Sequence, residues 1–320
     1  MHNKSAAGHP PIATLTLNPC LDVSYEFLSL VADQKVHVDH TRFDPGGNGI
    51  NVGRALGRLG LAATNCCLLA GEIGNLVERL LGQHLDNLQA TRIAGETRIN
   101  CTILERNPRV QYELDGIGPH VDAEALEQVV SNFLNGAQGG LGVLTGSIPS
   151  GVPEQIYGDL VERLRQRRAR AVVDAKGPML SHALTHHPFL IKPNRYELET
   201  LCGRRLPTLE AVAEEARRLQ EEGVTYVCVS LGGEGAILVG PEKAYHATAP
   251  QVQVRSTVGA GDALLGGLVA AFAQDQDPAD VLRLGICCGS GTAEKPGTEL
   301  FTRQGVNDLM NHVEIGPLDV

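Results

Sequence analysis

Seven residues, Ser256-Thr257-Val258-Gly259-Ala260-Gly261-Asp262, put two glycines and a carboxylate at the mouth of an apolar run, Ala263 to Phe272. Glycine lets a backbone fold tightly enough to aim successive N–H groups at one point, and the first turn of a helix adds partial positive charge there. Such a turn can hold a phosphoryl anion, with Asp262 beside it as a base. Transfer of a phosphoryl group to an alcohol needs that pair of devices. The same pattern also caps helices, with an aspartate favouring the first turn. Taken alone it favours capping, so the choice falls to the rest of the chain.

Five more polar loops could carry chemistry, each weak alone. Thr16 to Asp22 ends in a carboxylate able to grip hydroxyls or to brace a turn. Pro45 to Gly53 holds Gly46, Gly47 and Gly49, with Asn51 able to donate and accept hydrogen bonds. It fails the dinucleotide fingerprint, because the third glycine position counted from Gly47 is Val52, and it lacks the Gly-Lys-Ser/Thr of a P-loop. Thr145 to Gly151 contains Ser147, Lys192 to Glu197 contains Asn194, and Ser230 to Gly235 contains three glycines.

These loops need a scaffold, and the sequence supplies one. Short apolar runs such as 12–17, 66–70, 142–145, 171–174, 189–192 and 224–230 alternate with helical segments such as 51–59, 122–134, 153–168 and 208–222. That alternation predicts an α/β domain: a mainly parallel sheet flanked by helices, with ligands beyond the C-terminal strand ends. Residues 35–43, and 100–105 with 110–115 around Arg106-Asn107-Pro108-Arg109, break the pattern and read as a small β-sheet lid. A lone sheet exposes a face, which makes pairing of two lids plausible. Glu314 to Val320 reads as a loose tail.

Composition narrows the function. At 320 residues, 42% hydrophobic and 20% charged, the chain can bury a full core. A net charge of −10 argues against sequence-independent nucleic-acid binding. Eight cysteines without a CxxC pair or zinc spacing imply a reducing compartment. Met1 to Pro11 is polar, without the apolar stretch of a signal peptide, and no run approaches a membrane span. The expectation is a cytoplasmic protein.

In this order the loops resemble the PfkB carbohydrate kinases of the ribokinase superfamily, over about Ile12 to Met310. Gly-Gly-Asn-Gly-Ile-Asn-Val and Ser-Thr-Val-Gly-Ala-Gly-Asp are the specific signatures, and Thr-Leu-Asn-Pro-Cys-Leu-Asp is similar to the sugar-phosphate branch. The resemblance implies one Rossmann-like, ribokinase-like kinase domain over 12–313, with lid strands from about 35–43 and 98–116 and a homodimer joined through the lids. It implies Asp262 as general base and Gly259, Ala260 and Gly261 as the anion hole. Asp22, Gly46, Gly47, Asn51 and Ser147 would hold the sugar, and Arg98, helped by Lys35, its phosphate. Asn194 and Glu197 would organise Mg2+ through water, although the same pair could form a capping box. Ser230, Gly232, Gly235 and Ser290 would line ATP, with Gly289 and Gly297 near nucleotide or a monovalent cation such as K+.

Departures from the pattern choose within the branch. Asn48 stands where most of these kinases carry Lys, and Ser256 where many carry Asp; both resemble the minor 6-phosphofructokinases. His37 stands where those enzymes carry a second basic lid residue, and 294–298 also differs from them, which weakens the case for potassium. The balance favours fructose 6-phosphate as substrate, with 1-phosphofructokinase and tagatose-6-phosphate kinase as rivals. A sugar- or nucleotide-binding regulator without catalysis ranks below, because Asp262, Asn194 and Glu197 are all present. A nicotinamide-dependent dehydrogenase ranks lowest, on the broken glycine fingerprint.

Overall fold

The computed structural model describes residues 8–320; the polar residues 1–7, read above for a leader, lie outside the described residues. In chain order the strands are β1 (Ile12–Thr16), β2 (Cys20–Phe27), β3 (His40–Gly46), β4 (Thr64–Ala70), β5 (Leu88–Ile93), β6 (Arg98–Arg106), β7 (Arg109–Leu114), β8 (Leu141–Thr145), β9 (Arg170–Asp174), β10 (Leu190–Ile191), β11 (Tyr226–Ser230), β12 (Ala236–Val239), β13 (Ala244–Ala247) and β14 (Ile315–Leu318). The helices are α1 (Asn48–Arg58), α2 (Gly71–Leu81), α3 (Ala123–Gly136), α4 (Ile156–Gln166), α5 (Pro178–Leu184), α6 (Arg195–Cys202), α7 (Leu209–Glu221), α8 (Ala260–Ala273), α9 (Pro278–Ala293) and α10 (Arg303–Leu309).

The expected alternation produces a ten-stranded sheet. Strands β5-β4-β1-β8-β9-β10-β11 run parallel in that order, and β12, β13 and β14 continue it antiparallel. Successive side chains point to opposite faces, so each central strand feeds two cores. Ala13, Leu15 and Leu144 join Phe133 of α3, Leu160 of α4 and Ala216 of α7. Ile12, Leu141 and Val143 join Val52 of α1, Leu268 of α8 and Ile286 of α9.

Two helical glycines set the position of α8. A Cβ at Gly266 would come within 2.6 Å of the Ala55 Cβ on α1, and one at Gly267 within 2.8 Å of the Gly285 Cα on α9. Glycine inside a helix costs about 1 kcal/mol relative to alanine. Here it allows three helices to pack backbone to backbone and holds the first turn of α8 over the strand ends.

Strands β3-β2-β6-β7 form the separate small sheet that was expected. Three details differ. Residues 35–38 carry no strand; β3 begins at His40, which leaves Lys35 and His37 exposed in the segment before it. Residues 20–22 open β2 instead of ending a loop, and the alternation of Leu21, Val23, Tyr25 and Phe27 with Asp22, Ser24 and Glu26 is a clean period-two signal for it. Residues 315–318 are not a loose tail: β14 pairs with β13, with Ala247 opposite Ile315. No helix among the described residues is long and apolar enough to cross a membrane.

Candidate active site

A cavity of about 400 Å³ opens where the C-terminal ends of β8, β9, β10 and β11 meet the small sheet and the first turns of α1 and α8. It brings together Asp22, Gly47, Asn51, Arg98, Ser147, Asn194, Glu197, Ser230, Gly259, Gly261 and Asp262, drawn from seven separate stretches of sequence.

Asp262 lies in the first turn of α8 and is 6% exposed. Gly259 precedes the helix at φ 77°, a left-handed conformation that glycine adopts without strain. Asn48 Nδ2 donates to Asp262 Oδ1 and Asn51 Nδ2 to Oδ2, both at 2.9 Å. Burial pushes the Asp262 carboxyl up to about 6; Asp174 adds to the rise, while the Asn51 and Asn48 hydrogen bonds and Lys192 oppose it. A carboxylate that titrates near neutrality is matched to taking a proton from a hydroxyl at physiological pH.

Buried Lys192 pairs with half-buried Asp174 at 3.2 Å beneath this turn. Burial pulls the Lys192 ammonium down, but Asp174 and Asp262 outweigh it and hold it above its usual value. Gly261 lies directly over the amine, with its Cβ position 3.6 Å from Nζ. A fixed positive charge therefore stands under the glycine turn. Val258 N donates to Ser256 Oγ at 3.2 Å, and the Ala260 N–H turns back onto Thr257 O at 3.3 Å. Ser256 thus braces the turn and does not line the cavity.

The small sheet supplies the other wall. Asp22 faces the cavity, and burial raises its carboxyl pKa despite hydrogen bonds from Cys20 and Asn100. Gly46 lies opposite Cys20, and a Cβ there would fall 2.2 Å from Asp22 Oδ2. Gly46 is therefore needed for close packing, although it does not line the space. The Arg98 side chain is 10% exposed and aimed into the cavity, held by Asn18 O (3.1 Å) and Gly116 O (3.5 Å), with Asp115 Oδ1 at 4.0 Å. Ser147 Oγ accepts from Asn18 Nδ2 at 3.0 Å.

Asn194 caps α6 and forms a full capping box with Glu197: Glu197 N donates to Asn194 Oδ1 at 2.8 Å, and Asn194 N to Glu197 Oε2 at 2.9 Å. An isolated bridge to Asn194 brings Ser230 alongside. Besides Gly46, the candidates Lys35, Ala260, Gly232, Gly235, Gly289, Ser290 and Gly297 lie outside the lining. Gly235 has a packing reason of its own, since a Cβ there would meet Ala247 O at 1.9 Å. Asn100, Asp174 and Lys192 carry part of the site without having been given a role from the sequence, and Asn48, noted there only as a departure from the pattern, bonds the Asp262 carboxylate. Asp174 ends β9 and Lys192 directly follows β10, so strand-end position was the available signal.

Known proteins resemble this chain along nearly its whole length. A family model described as pfkB family carbohydrate kinase matches residues 14–304. The 1-phosphofructokinase of Bacillus subtilis (strain 168) is 33% identical over 299 residues, 92% of this chain and 96% of that protein. The 1-phosphofructokinase of Escherichia coli (strain K12) is 30% identical over 309 residues, 96% of this chain and 99% of that one. The crystal structure of phosphofructokinase-2 from Escherichia coli in complex with substrates and products superposes with a TM-score of 0.90 at 30% identity, covering 94% of this chain and 98% of that one.

Proposed function

The chain belongs to the pfkB family of carbohydrate kinases, and on that premise we propose that it is a 1-phosphofructokinase, transferring the γ-phosphoryl group of ATP to the 6-hydroxyl of fructose 1-phosphate. The observation that carries this reading is near-full-length similarity to proteins of that name. The sequence features that pointed instead to fructose 6-phosphate act elsewhere. Ser256 braces the glycine turn and Asn48 bonds the Asp262 carboxylate, so neither touches the end of the cavity where Arg98 stands.

In this reading Asp262 takes the proton of the attacking hydroxyl, and the turn at Gly259 and Gly261, over Lys192, meets the transferring phosphoryl. Asp22 and Asn100 orient the sugar, and Arg98 grips the phosphate already on it. ATP enters past Ser230 and Asn194. A divalent ion, taken as magnesium, would neutralise the ATP phosphates; among the described residues no cluster of three or more His, Cys, Asp or Glu forms a metal cage. That suits an ion held by phosphates and water, with the Glu197 oxygen not used in the capping box facing its hydration shell. A monovalent cation belongs to the same reading near Gly297, where the neighbouring Thr298 Oγ1 is buried without a hydrogen-bond partner.

A homodimer through the small sheets is part of the proposal. The face turned away from the cavity exposes Phe43, Ile99, Tyr112 and Leu114. Light scattering should give twice the chain mass, and Leu114→Asp with Ile99→Asp should halve it; a monomeric wild type ends the idea.

The substrate test is a coupled assay of ADP release with fructose 1-phosphate, fructose 6-phosphate and tagatose 6-phosphate. Fructose 1-phosphate should lead by about ten-fold or more in kcat/KM, the equivalent of about 1.4 kcal/mol. A comparable lead for fructose 6-phosphate would reverse the choice and leave the kinase assignment standing.

A further inference from the structure

Asn51 and Arg54 sit three residues apart on α1, where helical geometry makes them neighbours. Arg54 is 5% exposed, which is unusual for a guanidinium. Its NH1 donates to Asn51 Oδ1 at 3.2 Å, and on the far side of the same amide Asn51 Nδ2 donates to Asp262 Oδ2 at 2.9 Å. A neutral amide thus bridges a buried cation and a buried carboxylate.

A guanidinium has only donors and an ionised carboxylate only acceptors. An amide placed between them has one satisfied orientation, with oxygen toward Arg54 and NH2 toward Asp262. Rotation by 180° would set NH2 against N–H and oxygen against oxygen. Without Arg54, Asn51 could turn its oxygen to accept from Asp262 once that carboxyl is protonated, so the neutral form would gain a partner that it now lacks. Burying a cation is costly, and a scaffold role alone could be met by an apolar side chain of similar length. Arg54 directs its hydrogen bond to this amide; Asp44 and Asp22 favour its charge only at longer range, against Arg42 and Arg58.

We propose that Arg54 is a positioning residue: its guanidinium fixes which end of the Asn51 amide faces Asp262 and so keeps an N–H donor on the reacting carboxylate. This rests on the reading of Asp262 as the general base. The remaining groups that act on Asp262 are Asn48, Asp174 and Lys192, none of them among the groups that act on Arg54, while His84 lies within reach of the Arg54 charge.

The test is the pH dependence of kcat at saturating ATP and sugar phosphate for wild type, Arg54→Met, Arg54→Gln and Asp262→Asn. Loss of the donor disfavours the ionised carboxylate. The acidic limb should therefore move up by about one pH unit in Arg54→Met, the scale of one hydrogen bond to a charged group. The KM for ATP should stay within about two-fold of wild type, and activity should recover above the new midpoint. A structural role alone would lower kcat evenly and leave the midpoint in place. Should Arg54→Met fail to fold, Arg54→Gln carries the test: its neutral amide can offer either end to Asn51, so the enforced orientation goes and the limb rises. An unmoved midpoint in a folded variant, with Asp262→Asn inactive, overturns the role of Arg54 alone. Near-normal turnover in Asp262→Asn overturns both the base assignment and this proposal.

Discussion

At one end of the cavity Asp262 begins a helix wedged between α1 and α9, and each of its carboxylate oxygens has a donor fixed on α1. At the other end Asp22, Asn100 and Arg98 stand on a four-stranded sheet whose far face leaves Phe43, Ile99 and Leu114 in the open. The first end is held by the main core and a closed set of hydrogen bonds. The second stands on a small sheet anchored by Leu21 and Val23 in a satellite core with Val77 and Leu81 of α2, and the Arg98 guanidinium rests on two carbonyls and a distant carboxylate that is itself 83% exposed. Full satisfaction suits a group that must have one geometry through the reaction. A cation with weak partners suits a group whose best partner arrives with the substrate. Damage at the first end should therefore appear in kcat, and damage at the second in KM.

Asp262→Asn should have the largest effect. It keeps the shape of the turn and removes the carboxylate proposed to accept the proton. Loss of a general base typically costs about 10²–10⁴-fold, so kcat should fall by that order while calorimetry shows ATP and sugar-phosphate binding largely kept. Near-normal turnover would remove Asp262 from the mechanism. The wild-type profile makes the same point without mutation. In the proposed role Asp262 must be ionised to accept a proton, and its carboxyl is pushed up to about 6. Activity should therefore decline as pH falls through that value.

Arg98→Ala comes next and probes the opposite end. A hydrogen bond to a charged group is worth about 1.5–3 kcal/mol, so KM for the sugar phosphate should rise roughly ten- to a hundred-fold. The ATP KM should hardly move. Equal changes in both KM values, or none, would show that the two ends are not divided in the way the geometry implies.

The same division explains what the sequence could show. The base end is local: the glycine turn, Asp262 and the apolar helix are contiguous, and Gly46 to Asn51 is a second contiguous motif. Asn194 and Glu197 are legible for the same reason, since a capping box is a spacing of three. The alternation of strands and helices was visible because most parallel strands are short, apolar and buried on both faces. Lys192 and Asp174 carried no motif of their own, and an ion pair between the ends of β9 and β10 exists only once the strands are adjacent. Lys35 failed through register: its polar–apolar alternation looked like strand, but β3 starts at His40 and Lys35 is left outside the cavity. Gly232 and Gly235 illustrate a different limit. A glycine pattern looks alike whether it approaches a ligand or another strand, and Gly235 is pressed against the backbone of β13.

Asn48 gives the smallest and sharpest test. It occupies a position where similar kinases of this branch mostly carry lysine, it is exposed, and its amide donates to Asp262 Oδ1 at 2.9 Å. Asn48→Lys replaces a neutral donor with a cation at the same carboxylate, and a nearby opposite charge favours the ionised form. The acidic limb of kcat should therefore shift to lower pH. Exposure to solvent should limit the shift to about one unit or less. A base with a lower pKa is also a weaker proton acceptor, so the plateau above neutral pH should fall slightly even as activity at low pH improves. Crossing profiles of wild type and variant would place the Asn48 donor on the reacting carboxylate. Parallel profiles, or a limb that moves up, would mean that Asn48 acts on something other than the base.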